Sequence, residues 1–168
     1  MSTENALVTL LREGVSVNEE SVDSKRDLEE ALRNACNGFI DHICNVLAKE
    51  MFEMVSKLND SKPESLTSAS FFEANSVKKM LAKTLEEFDS KVTDILNKMS
   101  VYLENSTTQS ILMKPVSKKI SKGLEEIKKS ASGITGDKTG WDESTRSQIY
   151  GIINDLEKTV KKLGRLSK

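Results

Sequence analysis

The residues that could carry chemistry are few in this chain, and they are dispersed. His42 is the only histidine, and on a helix its neighbour Asp41 would point about 100° away from it. A catalytic triad or a zinc site needs several converging side chains, and the sequence predicts none around His42. Cys36 and Cys44 lie on one predicted helix, where about 12 Å of helical rise prevents a disulfide between them. The sequence therefore predicts reduced, buried thiols and no metal site.

A Gly-rich segment, "GITGDKTG" at residues 133–140, is the one candidate for a phosphate-binding loop. A P-loop needs G-x-x-x-x-G-K-[ST] between a strand and a helix. Here Asp137 separates Gly136 from Lys138, no strand precedes, and a carboxylate would repel phosphate. The segment is therefore interpreted as a connector, and no cofactor is expected.

The pattern of neighbouring charges along the predicted helices also argues against catalysis and against nucleic-acid binding. Adjacent acids such as Glu86 and Glu87 fan apart on a helix, so they do not form a general acid/base pair across a cleft. The lysine pairs lack the interleaved aromatic residues on which bases stack. Net charge is −1, yet residues 1–30 carry −5 and residues 114–168 carry +6. The basic C-terminal third has two interpretations. It is an ordinary solvated helix face, or it is a binding surface for an acidic partner or an anionic membrane.

Composition indicates a helical protein of one domain. Of the 168 residues, 37% are hydrophobic, 30% are charged and only 5% are aromatic, and there are two prolines. This balance disfavours a β-sandwich or barrel. No apolar run approaches the roughly 18 residues of a membrane span, and the N-terminus lacks the basic region of a signal peptide. The expected location is cytoplasmic.

Apolar residues recur at helical spacing in four stretches, which predicts an all-α fold, an antiparallel bundle of about four main helices. A short helix and loose leader precede them over residues 1–23, and the bundle fills residues 24–168. The predicted elements are helices over residues 24–58, 70–104, 106–130 and 143–164, and a Gly-rich loop over residues 131–142.

The same spacing predicts the core and the helix ends. Ser70 with Glu73 and Ser106 with Gln109 have the spacing of capping boxes. Trp141 is expected to fix the last helix to the bundle, beside a capping Asp142. The core of the first helix is predicted as Leu28, Leu32, Cys36, Phe39, Ile43, Leu47, Met51, Met54 and Leu58. The other predicted core residues are Val77, Leu81, Leu85, Phe88, Val92, Ile95, Met99, Leu103, Ile111, Leu112, Val116, Ile120, Leu124, Ile127, Ile149, Ile152, Ile153, Leu156, Val160 and Leu163.

Pro115 stands inside the third predicted helix. It has no N–H for the carbonyl of Ile111, and its ring crowds that carbonyl, at a cost of about 3 kcal/mol inside a helix. The sequence leaves two alternatives: the helix kinks at Pro115, or it restarts there. A structural bend is the favoured interpretation over a ligand contact.

The stretch around Pro115, "YLENSTTQSILMKPV" at residues 102–116, resembles the C-terminal region of the third subunit of the conserved oligomeric Golgi complex. The family pattern is Y-L-x-N, five residues, then I-L-x-K-P-V. Upstream, residues 31–58 are similar to the helix that precedes this pattern, and the likeness covers about residues 28–130. The matching residues are Tyr102, Leu103, Asn105, Ile111, Leu112, Lys114, Pro115 and Val116.

The resemblance implies a non-catalytic subunit, or a fragment of one, in a helical-rod vesicle tether. Such a complex lies peripherally on the cytoplasmic face of the Golgi membrane and serves intra-Golgi retrograde transport by protein–protein contact. The implied partners are other tether subunits and also SNARE proteins, Rab GTPases or golgins, with indirect membrane association. The eight matching residues become the candidate interaction or structural motif. A rival hypothesis is a free-standing helical adaptor whose basic C-terminal face binds an acidic partner or an anionic membrane; a small enzyme is the least favoured.

Overall fold

The computed structural model describes residues 22–103, 106–134 and 138–165. The predicted all-α bundle is confirmed, because the described residues form α- and 3₁₀-helices and no β-strand. The short helix predicted over residues 3–13 lies outside them. The α-helices are α1 (Val22–Asn59), α2 (Ala74–Tyr102), α3 (Ser106–Ser132) and α4 (Glu143–Leu163), and the 3₁₀-helices Pro63–Ser68 and Ser70–Phe72 link α1 to α2.

The four α-helices pack in a ring in the order α1, α2, α4, α3, so that α2 and α3 lie on a diagonal although they are consecutive in the chain. Helices α1 and α3 run parallel. Lys119 Nζ lies 2.6 Å from Asp41 Oδ1, and further along both helices Gly123 approaches Met51. The ring thus differs from the simplest antiparallel bundle, in which every neighbour in the ring is antiparallel.

Helices α2 and α4 form a second parallel pair, whose starting ends are tied together. The backbone N–H of Ala74 donates to the carbonyl of Thr139 at 2.9 Å, and Lys78 Nζ donates to Gln148 at 2.6 Å. The two remaining neighbouring pairs, α1 with α2 and α3 with α4, are antiparallel. One end of the ring therefore collects the end of α2, the start of α3 and the end of α4.

The core follows the predicted stripes in α2, α3 and α4 with one clear exception. Ile111 is 61% exposed, so it does not belong to the core, whereas Met113 is fully buried in its place. Ile111, Leu112 and Met113 are consecutive in α3. Only about half of the circumference of α3 faces the core, so one of these three side chains must point outward. In α2 and α4, Leu85, Val92 and Ile152 are half-buried at the core's edge.

The buried face of α1 is rotated relative to the predicted one. The predicted Ile43, Leu47 and Met51 are among its deepest residues. Ile40, Cys44 and Val55 are also buried although they were not predicted, whereas the predicted Cys36 and Phe39 are only half-buried. The backbone leaves helical geometry at buried Ala48, with φ −149° and ψ 41°, so α1 consists of two segments that present different faces. A uniform period of 3.6 residues cannot follow such a break.

The link into α2 corrects the predicted capping box. α2 begins at Ala74, not at residue 70, and Glu73 is its N-cap without any side-chain hydrogen bond. Ser70 instead begins the second 3₁₀-helix, which carries Phe72 fully into the core. Burial of an aromatic side chain contributes more than the cap, worth about 1 kcal/mol, that the serine would have made.

Trp141 joins the start of α4 to that link, as predicted. Its Nε1 donates to the carbonyl of Phe72 at 2.8 Å, and the two rings stack with centroids 5.2 Å apart. The following residue, Asp142, is the N-cap of α4 and accepts a hydrogen bond from the backbone N–H of Thr145 at 2.7 Å. This bond lowers the pKa of the Asp142 carboxyl. The start of α4 is thus fixed by stacking and by a cap together.

Two helical glycines provide a matched test of the α1–α3 contact. A Cβ at Gly123 would lie 2.7 Å from Met51 Cε, whereas a Cβ at Gly151 on α4 would meet nothing within 4 Å. Gly151→Ala should raise the free energy of unfolding by about 0.5–1 kcal/mol, since alanine favours helix more than glycine does. Gly123→Ala should lose most of that gain, because the terminal methyl of Met51 must move aside to make room for the new Cβ. Urea unfolding of both variants checks this, and an equal gain at both positions would contradict the close approach.

Candidate interaction surface

Pro115 lies inside a continuous helix. α3 runs without interruption from Ser106 to Ser132, and no residue within it has a non-helical backbone, in contrast to Ala48 in α1. The restart alternative is therefore wrong. The carbonyl that Pro115 leaves without a donor belongs to Ile111, which lies on the exposed side of α3, where water can serve as donor.

The eight residues of the motif divide into a buried and an exposed set. Leu103, Leu112 and Val116 are buried in the core, so they support the fold and cannot reach a partner. Asn105 lies outside the described residues, and Pro115 is half-buried. The exposed members are Tyr102, Ile111 and Lys114.

The α2–α3 junction is held by a side chain that the sequence pattern assigned to another role. Gln109 Nε2 donates to the carbonyl of Leu103 at 2.8 Å, which ties the second turn of α3 to the end of α2. The capping box predicted for Gln109 had Ser106 as its partner, and the side chain of Ser106 lies outside the described residues. The bond to Leu103 could not be read from an S-x-x-Q spacing, because it depends on how the chain turns between the two helices.

Exposed apolar side chains concentrate at this junction. Among the described residues, four large hydrophobic side chains are exposed: Val101 at 68%, Ile111 at 61%, Tyr102 at 52% and Val46 at 37%. The first three lie at the end of α2 and the start of α3. We call Val101, Tyr102 and Ile111 the apolar corner. Val101 and Tyr102 are adjacent in the chain, and the Gln109–Leu103 hydrogen bond ties the start of α3, which carries Ile111, to the end of α2. Clustered apolar side chains on a surface are typical of a contact site, whereas single ones are ordinary.

Elsewhere the described surface offers no convergent reactive groups. A cleft of about 230 Å³ opens between α1 and α2 beside Ala48, but four of its five charged side chains are already paired: Lys83 Nζ lies 3.1 Å from Glu50, and Lys91 Nζ lies 2.9 Å from Glu87. The described ranges contain no group of three metal-ligating side chains. Within them, no helix is both long enough and apolar enough to span a bilayer.

Both cysteines are free thiols, in agreement with their spacing, and Cys44 is the more protected. Burial raises the pKa of the Cys44 thiol to about 11, despite the opposing effect of Lys119. Burial also raises the pKa of half-buried Cys36. The thiolate is the reactive form, and at pH 8 only about one Cys44 in a thousand is ionised.

This difference predicts the order of alkylation. At pH 8, iodoacetamide should label Cys36 well before Cys44 in the folded protein, and denaturant should make the two rates similar. Peptide mass spectrometry over a time course measures both sites in one sample. Equal labelling of the folded chain would mean that α1 does not hold Cys44 in the core.

Comparison with protein families gives this junction its context. Residues 56–130 match the family model described as the COG3 C-terminal cap domain. The chain is thus similar to this family over residues 56–130. The matched segment contains the end of α1, the 3₁₀ link, all of α2 and nearly all of α3. The apolar corner and the whole motif around Pro115 therefore lie within the segment that is similar to the COG3 cap.

Individual relatives agree with the family match. The chain is 27% identical over 136 residues to conserved oligomeric Golgi complex subunit 3 of Dictyostelium discoideum. This alignment covers 76% of this chain and 14% of that protein. Human subunit 3 is 28% identical over the same length, with 16% of its length covered, and mouse subunit 3 is 27% identical, with 17% covered. The chain thus spans about a sixth of these COG3 relatives. No solved structure matches it significantly.

Proposed function

We propose that this chain is a non-catalytic helical module of the conserved oligomeric Golgi complex, which acts by binding other proteins. The observation that carries the proposal is the position of the apolar corner inside the segment that matches the COG3 cap. Three exposed hydrophobic side chains at one junction lose water-exposed area when a partner covers them, which favours association.

The partners we propose are other subunits of the same complex, and the process is vesicle tethering in intra-Golgi retrograde transport. The complex named in the relatives' descriptions is the source of this assignment. SNARE proteins, Rab GTPases and golgins are the further partners that the resemblance implies. The chain would act at the cytoplasmic face of the Golgi membrane as a peripheral protein.

Structural features of the corner favour a docking role. The Gln109–Leu103 hydrogen bond fixes the junction, so Tyr102 and Ile111 are presented by helices and not by a loose loop. A preorganised surface loses less conformational entropy on binding. Tyrosine is also enriched among residues that dominate binding energy.

Co-purification tests the proposal. The tagged chain, expressed in cells at low level, should recover other subunits of the Golgi complex above the amount recovered by an unrelated helical bundle with the same tag. Quantitative mass spectrometry measures the enrichment. Recovery of no complex subunit, with the chain folded by circular dichroism, would reject the proposal and favour the free-standing adaptor.

A further inference from the structure

A strongly basic surface extends over α3 and the end of α4 and is not explained by the proposed protein contact. Residues 106–124 contain four lysines and no acid, and residues 158–165 contain three lysines, one arginine and no acid. The first range is the N-terminal part of α3, and the second is the end of α4 with the two residues that follow it. Each run carries a local excess of positive charge, with Glu125 and Glu126 following the first run and Asp155 and Glu157 preceding the second.

The fold brings these two ranges side by side. Ser117 Oγ donates to the carbonyl of Val160 at 2.9 Å, and a Cβ at Gly164 would lie 3.5 Å from Ser117 Oγ. The antiparallel course of α3 and α4 therefore aligns the acid-free range of one helix with that of the other. Lys118 follows Ser117 directly, and Lys161 follows Val160.

The basic side chains of these ranges lie on the outer side of α3 and α4, because the apolar residues between them face the core. Lys119 is the exception, because it turns toward α1 and pairs with Asp41. We call the remaining set the basic seam, which excludes Lys114 at the apolar corner. All its members are exposed, and none of their side chains makes an ion pair or hydrogen bond to another described residue. The basic seam consists of Lys118, Lys122, Lys158, Lys161, Lys162 and Arg165.

The composition of the basic seam distinguishes between two kinds of acidic partner. Five of its six members are lysines, which are depleted from protein–protein interfaces, whereas arginine and aromatic residues are enriched there. Lysine acts as a mobile point charge without the paired geometry that a carboxylate site selects. Clusters of four to eight basic residues without such geometry are typical of surfaces that face anionic lipid.

We propose that the basic seam binds an anionic membrane surface directly. In this arrangement α3 and α4 lie with their common outer side toward the headgroups, and association is electrostatic. Each base held near an anionic leaflet strengthens binding about fivefold. The inference is independent of the proposed protein contact, because the apolar corner shares no residue with the basic seam.

Vesicle sedimentation tests the proposal with the full chain. Vesicles of phosphatidylcholine with about one-third phosphatidylserine should bind the chain, and pure phosphatidylcholine should not. Raising the salt from about 0.1 M to 1 M shortens the Debye length from about 10 Å to 3 Å and should abolish binding. Equal binding to neutral vesicles, or binding that salt does not weaken, would overturn the proposal.

A charge-matched pair of variants locates the surface. Lys118→Glu with Lys161→Glu should weaken binding to the anionic vesicles about 25-fold or more. Lys49→Glu with Lys79→Glu makes the same change in net charge on exposed parts of α1 and α2 and should bind within about threefold of the parent chain. Thermal melts by circular dichroism test whether both variants fold. If the variant with Lys118→Glu and Lys161→Glu does not fold, the variant with Lys118→Gln and Lys161→Gln takes its place.

Three results would reject the assignment. An equal loss in both glutamate variants would mean that net charge, and not the basic seam, drives binding. Unchanged binding of the seam variant would place the contact elsewhere. If the chain ignores the anionic vesicles but binds poly-glutamate in a way that the seam variant abolishes, the partner is an acidic polypeptide, and the membrane assignment is wrong.

Discussion

Trp141→Ala is expected to lower the free energy of unfolding by about 3–5 kcal/mol. Trp141 is 2% exposed, stacks on Phe72 and donates to its carbonyl. Alanine would leave a cavity and also remove the donor from a carbonyl in the core. Since domains of this kind are stable by about 5–15 kcal/mol, the variant is close to unfolding. Urea unfolding followed by circular dichroism measures the loss.

Trp141→Phe separates the two contributions. A phenyl ring keeps most of the stacking area but lacks the N–H, so its cost should be about 1–3 kcal/mol for the unsatisfied carbonyl. The remaining difference from alanine then reports the cavity. A loss below about 1 kcal/mol in both variants would contradict the attachment of α4 to the link before α2.

Phe88→Ala should cost about 3–5 kcal/mol, because Phe88 is 1% exposed in the middle of α2. Phe39→Ala is the matched control, since it deletes the same atoms from a half-buried position on α1. Its cost should be about 1 kcal/mol, in proportion to the smaller area removed from water. Unfolding in urea of both variants tests the prediction. Equal losses would mean that the face of α1 predicted from the sequence, with Phe39 in the core, is the correct one.

These two phenylalanines also indicate how far the sequence determines the fold. In α2 an uninterrupted apolar period placed Phe88, Leu81 and Met99 correctly, since a straight helix keeps one face toward the core. In α1 the same reasoning failed at Phe39, because the backbone departs from helical geometry at Ala48. Alanine is the strongest helix former, so nothing at that position announces a break. The break is a property of the packing and not of the local sequence.

The candidate site was predictable as a segment but not as a surface. The pattern around Pro115 identified the α2–α3 junction, and this junction lies within the matched family segment. Periodicity placed Ile111 in the core, however, and gave no reason to notice Val101, which is the most exposed of the large hydrophobic residues. Two adjacent apolar residues on a helix cannot be ranked as inside or outside until the neighbouring helices are in place.

Binding by the apolar corner is the central claim, and one comparison tests it most directly. Tyr102→Ser with Ile111→Ser removes two exposed side chains of the apolar corner, and Val46→Ser removes an exposed side chain on α1. Quantitative pull-down of the other Golgi complex subunits, alongside thermal melts, compares both variants with the parent chain. We expect the corner variant to recover at least about tenfold less of these subunits while it melts normally, and the Val46 variant to recover the parental amount. Parental recovery by a folded corner variant would contradict the claim.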